Sequence, residues 1–501
     1  MAHQQEKPLK ISKQLRSKAH EFLTSRRNAD SLMNIINHFD AGEDLPSCLL
    51  TLEMIFTSLL KERHMFIEIV PLKPVEKTEE NQFKTWLRNV YEECFTKILQ
   101  CLEHSSQKVQ MQGLATAMNI LSHEGRFPLE SKGSFDNYVP LMKLKSVLMK
   151  LLSNKQNNMQ LINKYTEYLL FDDVLFFTWK ILPSLTAKSN PNEVYIMNYL
   201  ILLEKLNVYQ NAETKFLCGS GNVSGAFFTF DENIIKKFLN KIWHCVMHWE
   251  HTPDTHKQVL IVLLEKVLCH LEKPLLLTDF LMDSLDVGGA VSLLALQGIF
   301  TMIQVHNLDY PNLFAKLYSM FEPEIFHTKY KARLFHLSDL FLSSTHLPET
   351  LVAAFAKRMA RLALVAPSED VIILCNFIGN LILRHPGLKC LLNNPGCAAA
   401  STDPYIMEER DPLKSNAIIS SLWELQTLQN HVIPSVAVAA RFINTPLPSV
   451  EWDLGQILEN TGDDIFDKEV KKFSKLIVLQ FEKPVGASIG KGERVMQYWN
   501  L

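Results

Sequence analysis

The 501-residue sequence lacks a dominant charge: 51 Lys and Arg stand against 54 Asp and Glu, a formal net charge of -3. That excludes the whole-molecule field with which strongly basic proteins gather polyanions, so any contact with nucleic acid must be local. The marks of catalysis are missing too. No G-x-S-x-G elbow occurs, and no set of nucleophile, base and oxyanion donors can be read from the chain. The run Gly219-Ser220-Gly221-Asn222-Val223-Ser224-Gly225 follows no strand pattern and is not closed by Lys-Ser or Lys-Thr, so it reads as a linker and not a phosphate cradle. The expectation is a non-enzyme without a cofactor. Residues 1–10 have no apolar secretory core, and the nine cysteines are odd in number and mostly embedded in apolar runs. Both features predict a reducing compartment inside the cell.

Strand signals are scarce. Residues 64–70 and 226–230 have short aromatic or β-branched character but no partner run, and are expected to be extended loop. Helical periodicity fills the rest. Phe83, Trp86, Leu87, Val90, Tyr91, Cys94, Phe95, Ile98, Leu99 and Leu102 fall on the i, i+3, i+4 lattice, and a second run from Val109 to Leu121 is small enough in its middle to pack closely on the first. The pattern returns at 141–152, 193–206, 234–248, 257–271, 313–321, 330–342, 350–364, 370–383 and 416–428. Units of about forty residues predict an all-α fold, an α-solenoid of HEAT/armadillo-like helical hairpins in two lobes. The expected division is a basic segment at 1–30, an N-terminal lobe at 31–209, a flexible linker at 210–231, a C-terminal lobe at 232–480 and a tail at 481–501. Such stacks offer extended surface for a protein partner and no single deep cleft. Gly298 and Gly379, inside helical patterns, are read as points of close helix contact.

Residues 287–308 carry no formal charge over a length that spans a bilayer. Ser292, Gln297, Gln304 and Asn307 within them, and the flanking acids Asp283, Asp286 and Asp309, favour a buried helix over a membrane span. His244 and His248 lie one helical turn apart beside Cys245, His251 and His256. His244, His248 and His251 are thus a weak zinc candidate, but no Glu follows His244 and no closed set of four ligands is evident. Both ends are basic, with seven Lys or Arg against three acids in 1–30 and again in 468–494. Lys13, Arg16, Lys18, Arg26 and Arg27 suit nuclear import or RNA backbone, or else the solvated face of a capping helix.

Residues 403–434 are the most specific stretch. Asp411 ahead of Pro412 predicts a capped helix start, and Leu413, Ala417, Ile418, Leu422, Trp423 and Leu425 then recur at roughly helical spacing. A tryptophan among leucines at that spacing predicts a core residue, with an interface anchor as the alternative. Asp411, Pro412 and Ser415 are expected to fix local geometry.

Three blocks carry a family resemblance: 292–296 with Asn307-Leu308-Asp309-Tyr310-Pro311 and Lys316-Leu317-Tyr318; Lys329-Tyr330-Lys331-Ala332-Arg333 with 339–348 and Ala353-Ala354-Phe355-Ala356-Lys357-Arg358; and 403–434. In order and spacing they resemble the nucleolar complex proteins that share the CCAAT-binding-factor domain, over 255–435, with weaker similarity across the N-terminal lobe. The resemblance implies a non-enzymatic helical scaffold in the nucleolus, acting in the small-subunit processome on assembly of the small ribosomal subunit and pre-rRNA processing. It implies nucleolar protein 14 as the dedicated partner, alongside other processome proteins, with pre-rRNA touched indirectly or through the basic ends. The positions it marks for partner binding or for the fold are Tyr310, Pro311, Arg333, Asp339, Asp411, Pro412, Ser420, Ser421, Trp423 and Glu424. The pattern departs at Val432, where relatives tend to carry Tyr. On the residues alone, two other classes stay open: a solenoid transport or adaptor protein carrying protein cargo, and a membrane protein of the nuclear envelope.

Overall fold

Short polar side chains ahead of apolar runs set the helix starts. Thr78 accepts the Asn81 N–H before Glu79–Gln100, Asp231 accepts two N–H groups before Glu232–Val246, and Thr252 with Pro253 opens Pro253–Val262. The computed structural model describes residues 8–25, 28–67, 78–130, 139–210, 213, 215–219, 230–306, 310, 312–393, 402–476 and 498. Among the described residues, β pairing is limited to one isolated bridge between Ile67 and Glu130. The fold is all-α and solenoid-like.

The chain divides into two compact units, Met1–Val287 and Gly288–Leu501. In the first, Leu45–Lys61 and Glu79–Gln100 both pack on Gln107–Arg126, where Gly113 lets the backbone come within contact of Cys101 and Leu102. Lys143 forms a largely buried ion pair there with Glu124 (2.9 Å) and another with Glu92, and its ammonium lies 4.4 Å from the Tyr91 ring centroid. Asp172–Leu185 packs on Leu141–Leu151 and Glu232–Val246, and Glu193–Lys205 packs on Met159–Tyr165 and Pro253–Val262. The expected helix over 257–271 begins earlier and changes winding, through a π turn at Leu263–Val267 and a 3-10 turn at Leu268–His270.

The division falls at 287/288, whereas the sequence places the lobe boundary in 210–231. Part of that segment is held by burial. The Asp173 carboxylate accepts the Leu217 and Cys218 N–H groups (3.0 and 2.9 Å), and both residues are buried. Residues 220–229 lie outside the described residues.

In the second unit, Glu349–Ala363 packs against Ser368–Arg384, which also carries Pro434–Ala440 and Leu454–Leu458. Tyr318, Phe321, Phe335, Phe355 and Phe377 form a chain of ring contacts with centroids 5.3 to 6.3 Å apart. The uncharged stretch forms the Gly289–His306 helix, long and apolar enough by length and composition to cross a membrane, with half of it buried inside the fold. Gly379 has a packing reason: a Cβ there would stand 2.5 Å from the Trp452 ring. Asn380 fixes the same tryptophan by accepting its N–H (2.9 Å) and donating to its carbonyl (2.8 Å). Gly379→Ala is expected to displace Trp452 and lower stability by about 1–3 kcal/mol, read by denaturant titration of Trp fluorescence.

Candidate functional site

The Glu349–Ala363 helix is almost wholly apolar on its buried face, yet Lys357 sits in that face and is fully buried. A buried ammonium requires acidic partners and hydrogen-bond acceptors. They come from the 403–428 segment. Lys357 Nζ lies 2.9 Å from Asp403 Oδ2 and 2.6 Å from Glu424 Oε1, and donates to the Ser421 carbonyl at 2.6 Å. One turn on, Arg361 reaches Asp403 Oδ2 at 2.6 Å and Glu424 Oε1 at 2.8 Å. Two cations thus meet two carboxylates. Both cations reach the same oxygen of Glu424, Oε1.

Asp403 is the hub. Its carboxylate accepts from Ser420 Oγ (2.6 Å), from the Tyr405 N–H (3.1 Å) and from Trp423 Nε1 (2.8 Å), besides both cations. Burial pushes its pKa up, but the hydrogen bonds from Ser420, Lys357, Trp423 and Tyr405 prevail and hold it well below the usual carboxylate range. Glu424 goes the other way: burial raises its pKa, and the attraction of Lys357 and Arg361 offsets this only in part. A second layer adjoins it. Arg358 stacks 4.6 Å from the Tyr318 centroid and donates to the carbonyls of Phe321 (2.8 Å) and Met407 (3.0 Å), while the Tyr318 and Tyr405 hydroxyls meet at 2.7 Å.

This polar interior corrects the expected helix over 416–428. The segment is built from two 3-10 turns, Pro412–Lys414 and Ala417–Ile419, and a short α-helix, Trp423–Leu428. Asn416 adopts a left-handed conformation (φ 56°) and Ser420 is extended, which frees the Ser420 side chain for Asp403 and the Ser421 carbonyl for Lys357. The cap was read correctly: Asp411 accepts the Leu413 N–H at 3.1 Å, Pro412 is buried, and Ser415 donates to the Pro412 carbonyl.

Trp423 is not core. It is 39% exposed, with Arg361 packed 4.8 Å from its ring centroid. Trp423→Ala should therefore cost about 1–2 kcal/mol, from one charge-assisted hydrogen bond and a cation–π contact, instead of the 3–5 kcal/mol of a cored tryptophan. Hydrogen exchange resolved to residues 403–428 measures the difference.

The remaining signature positions are dispersed. Asp339 forms a two-point ion pair with Arg384 (2.7 and 3.4 Å), which also holds Glu451 (2.6 and 2.9 Å). Arg333 is exposed; Tyr310 borders an apolar groove of about 380 Å³ with Phe300, Phe314 and Phe341; Pro311 lies outside the described residues. Val432 is 93% exposed, so the departure there changes surface and not packing. Lys357, Arg361 and Asp403 were not singled out in the sequence, although a lysine flanked by Ala353, Ala354, Ala356 and Ala360 on a helix is a signal of a buried counter-charge.

Three of these histidines each engage one ring nitrogen within the fold. His248 Nδ1 donates to the His244 carbonyl (2.6 Å), His251 Nε2 meets the Val246 carbonyl (3.2 Å) and His256 Nε2 the Ser284 hydroxyl (2.8 Å). Burial lowers the pKa of His251 and of His256. Among the described residues no three His, Cys, Asp or Glu are grouped to hold a metal ion. Lys13 and Arg16 are exposed on Pro8–Thr24, and Lys18 approaches His38 at 3.4 Å; Arg26 and Arg27 lie outside the described residues.

Comparison with known proteins covers nearly the whole chain. A family model described as CBF/Mak21 family matches residues 292–440, which contain the entire buried cluster. A second, described as Nucleolar complex protein 4-like, TPR repeats, matches residues 4–191. The chain is 38% identical over 491 residues to Nucleolar complex protein 4 homolog B of Xenopus laevis, covering 95% of this chain and 93% of that one. It is 36% identical to the Gallus gallus homolog (96% and 97% covered) and 33% identical to the Homo sapiens homolog (96% and 96%).

Proposed function

Because this chain belongs to the nucleolar complex protein 4 family, we propose that it is a non-enzymatic nucleolar scaffold in ribosome biogenesis, acting on the small subunit within the processome through a nucleolar protein 14-type partner. The observation that carries this reading is where the signature side chains of the 403–428 segment point. The Ser420 hydroxyl donates to Asp403, the Ser421 carbonyl accepts from Lys357 and the Glu424 carboxylate pairs with Lys357, so these groups are engaged in shaping the fold. What such a domain offers to other molecules is surface. Signature residues Asp411, Pro412 and Asp339 serve that framework by capping and ion pairing.

Affinity purification of the tagged chain from nuclear extract tests the reading. Small-subunit rRNA precursors together with nucleolar protein 14 are the expected companions. A varied cargo with a nucleotide-switch protein would instead mark a transport adaptor, and resistance to carbonate extraction a protein of the nuclear envelope. Pre-rRNA is met indirectly or through the basic ends. Leu15, Ala19 and Phe22 bury the inner face of the first helix, so deleting residues 1–30 would damage the fold. Lys13→Glu with Arg16→Glu alters only the exposed face, and is expected to reduce nuclear accumulation or RNA association, scored by imaging and crosslinked RNA yield.

A further inference from the structure

The helix Gly462–Leu476 is held to the second unit by few side chains. Ile465 is buried, Ser435 donates to Glu469, and the helix packs on Ser368–Arg384 and Pro434–Ala440. Most of its remaining surface is open. Phe466, Val470 and Phe473, spaced i, i+4, i+7, form one apolar stripe and are 67%, 47% and 50% exposed. Val438 is also exposed, one turn from Ser435 on the helix that Glu469 grips. Isolated exposed apolar residues are ordinary, but two phenylalanines and a valine aligned on one face are the pattern with which helices lie together.

Charge says what kind of helix fits. Asp463 stands three residues before Phe466, and Asp467 three before Val470, so the two line one edge of the stripe. Both are exposed and neither forms an ion pair among the described residues. Glu469 borders the other edge. The lysines lie further from the stripe: Lys471 stands one turn beyond Asp467 on the side away from it, Lys475 is on the opposite face, Lys468 bonds Asn460 and Lys472 pairs with Glu469. An RNA backbone or an acidic segment would meet like charge along the Asp463–Asp467 edge, whereas a basic one would find complementary charge.

We propose that the Phe466–Val470–Phe473 stripe is a docking surface for an amphipathic helix of a protein partner, one that lays an apolar face on the stripe and carries Lys or Arg toward Asp463 and Asp467. This deepens the scaffold reading and rests on it. Because the stripe is exposed, its substitution leaves the core untouched.

The test uses the full chain in its native assembly, with Val470 replaced by the photocrosslinker p-benzoylphenylalanine and the crosslinked peptide sequenced. The expected product is a peptide of another protein with apolar residues at helical spacing and flanking Lys or Arg. Asp463→Lys with Asp467→Lys, or Phe466→Ser with Phe473→Ser, should lower its yield about tenfold or more. Lys475→Glu, on the opposite face, should not. Reversing the partner's basic residues to Glu should restore crosslinking to the Asp→Lys variant. Crosslinks to RNA, to residues 477–501 of the same chain, to a second copy or to an acidic peptide overturn the proposal, as does full crosslinking by the Asp→Lys variant. If the wild-type chain carries small-subunit precursors while these outcomes fail, the stripe assignment falls and the scaffold reading stands. If it carries none, the scaffold reading itself falls.

Discussion

Replacing Lys357 with alanine is expected to destabilise the second unit by about 3–5 kcal/mol, the penalty of breaking a buried ion pair from one side. Asp403 and Glu424 would be left sharing Arg361, and Glu424 would lose its nearest cation. Removing charge from both sides should do much less harm. In Lys357→Met with Glu424→Leu, Arg361 and Asp403 remain a balanced pair at 2.6 Å, and most of the lost stability is expected to return. With two compact units in the chain, a single unfolding midpoint is not a clean quantity. Hydrogen exchange resolved to residues 403–428 is the suitable readout. Fast exchange there in the single variant, reversed in the double, is the predicted pattern; equal protection in all three would mean that the cluster contributes nothing to the fold.

The chemistry of this cluster also explains which parts of the molecule were legible in the sequence. Helices with an ordinary apolar stripe were: the run over 83–102 forms Glu79–Gln100, and that over 370–383 forms Ser368–Arg384. Gly379 was correctly read as a close contact, because a glycine inside a helical pattern has few other uses. The stretch from Asp411 to Leu428 was misread as helix because Leu413, Ala417, Leu422 and Leu425 mimic its period. Its backbone answers instead to polar demands across the fold, and Leu413 is in fact exposed. The partners are 42 residues apart for Arg361 and Asp403, and 64 for Lys357 and the Ser421 carbonyl, so no local pattern records them. Trp423 was misplaced for the same reason: its indole is drawn to the rim by Asp403 and Arg361.

Asp403→Asn should be nearly as damaging at neutral pH, about 3 kcal/mol, because the amide cannot balance Lys357 and Arg361 and cannot accept from Ser420, Tyr405 and Trp423 as a carboxylate does. It should also change the pH profile. The folded-state pKa of Asp403 lies below its unfolded value of about 3.9, so its contribution is complete above that value and is lost as pH falls toward the folded pKa. Glu424 has the opposite sign: its raised folded pKa means that its ionisation weakens the fold as pH climbs from the ordinary glutamate range to that raised value. The wild-type chain is thus expected to lose stability on acidification below about pH 4 more steeply than Asp403→Asn. Hydrogen exchange at residues 403–428 between pH 3 and 7, corrected for intrinsic exchange rates, separates the two slopes, and parallel profiles would remove Asp403 from the role given to it.

The most direct test of the scaffold function is sequencing of the rRNA precursors that co-purify with the tagged chain, in wild-type form and with Lys357→Ala. Wild-type protein should enrich small-subunit precursors over large-subunit ones together with nucleolar protein 14, and the variant should lose them in step with its protection at 403–428. Enrichment of large-subunit precursors, or of no rRNA precursor at all, would contradict it.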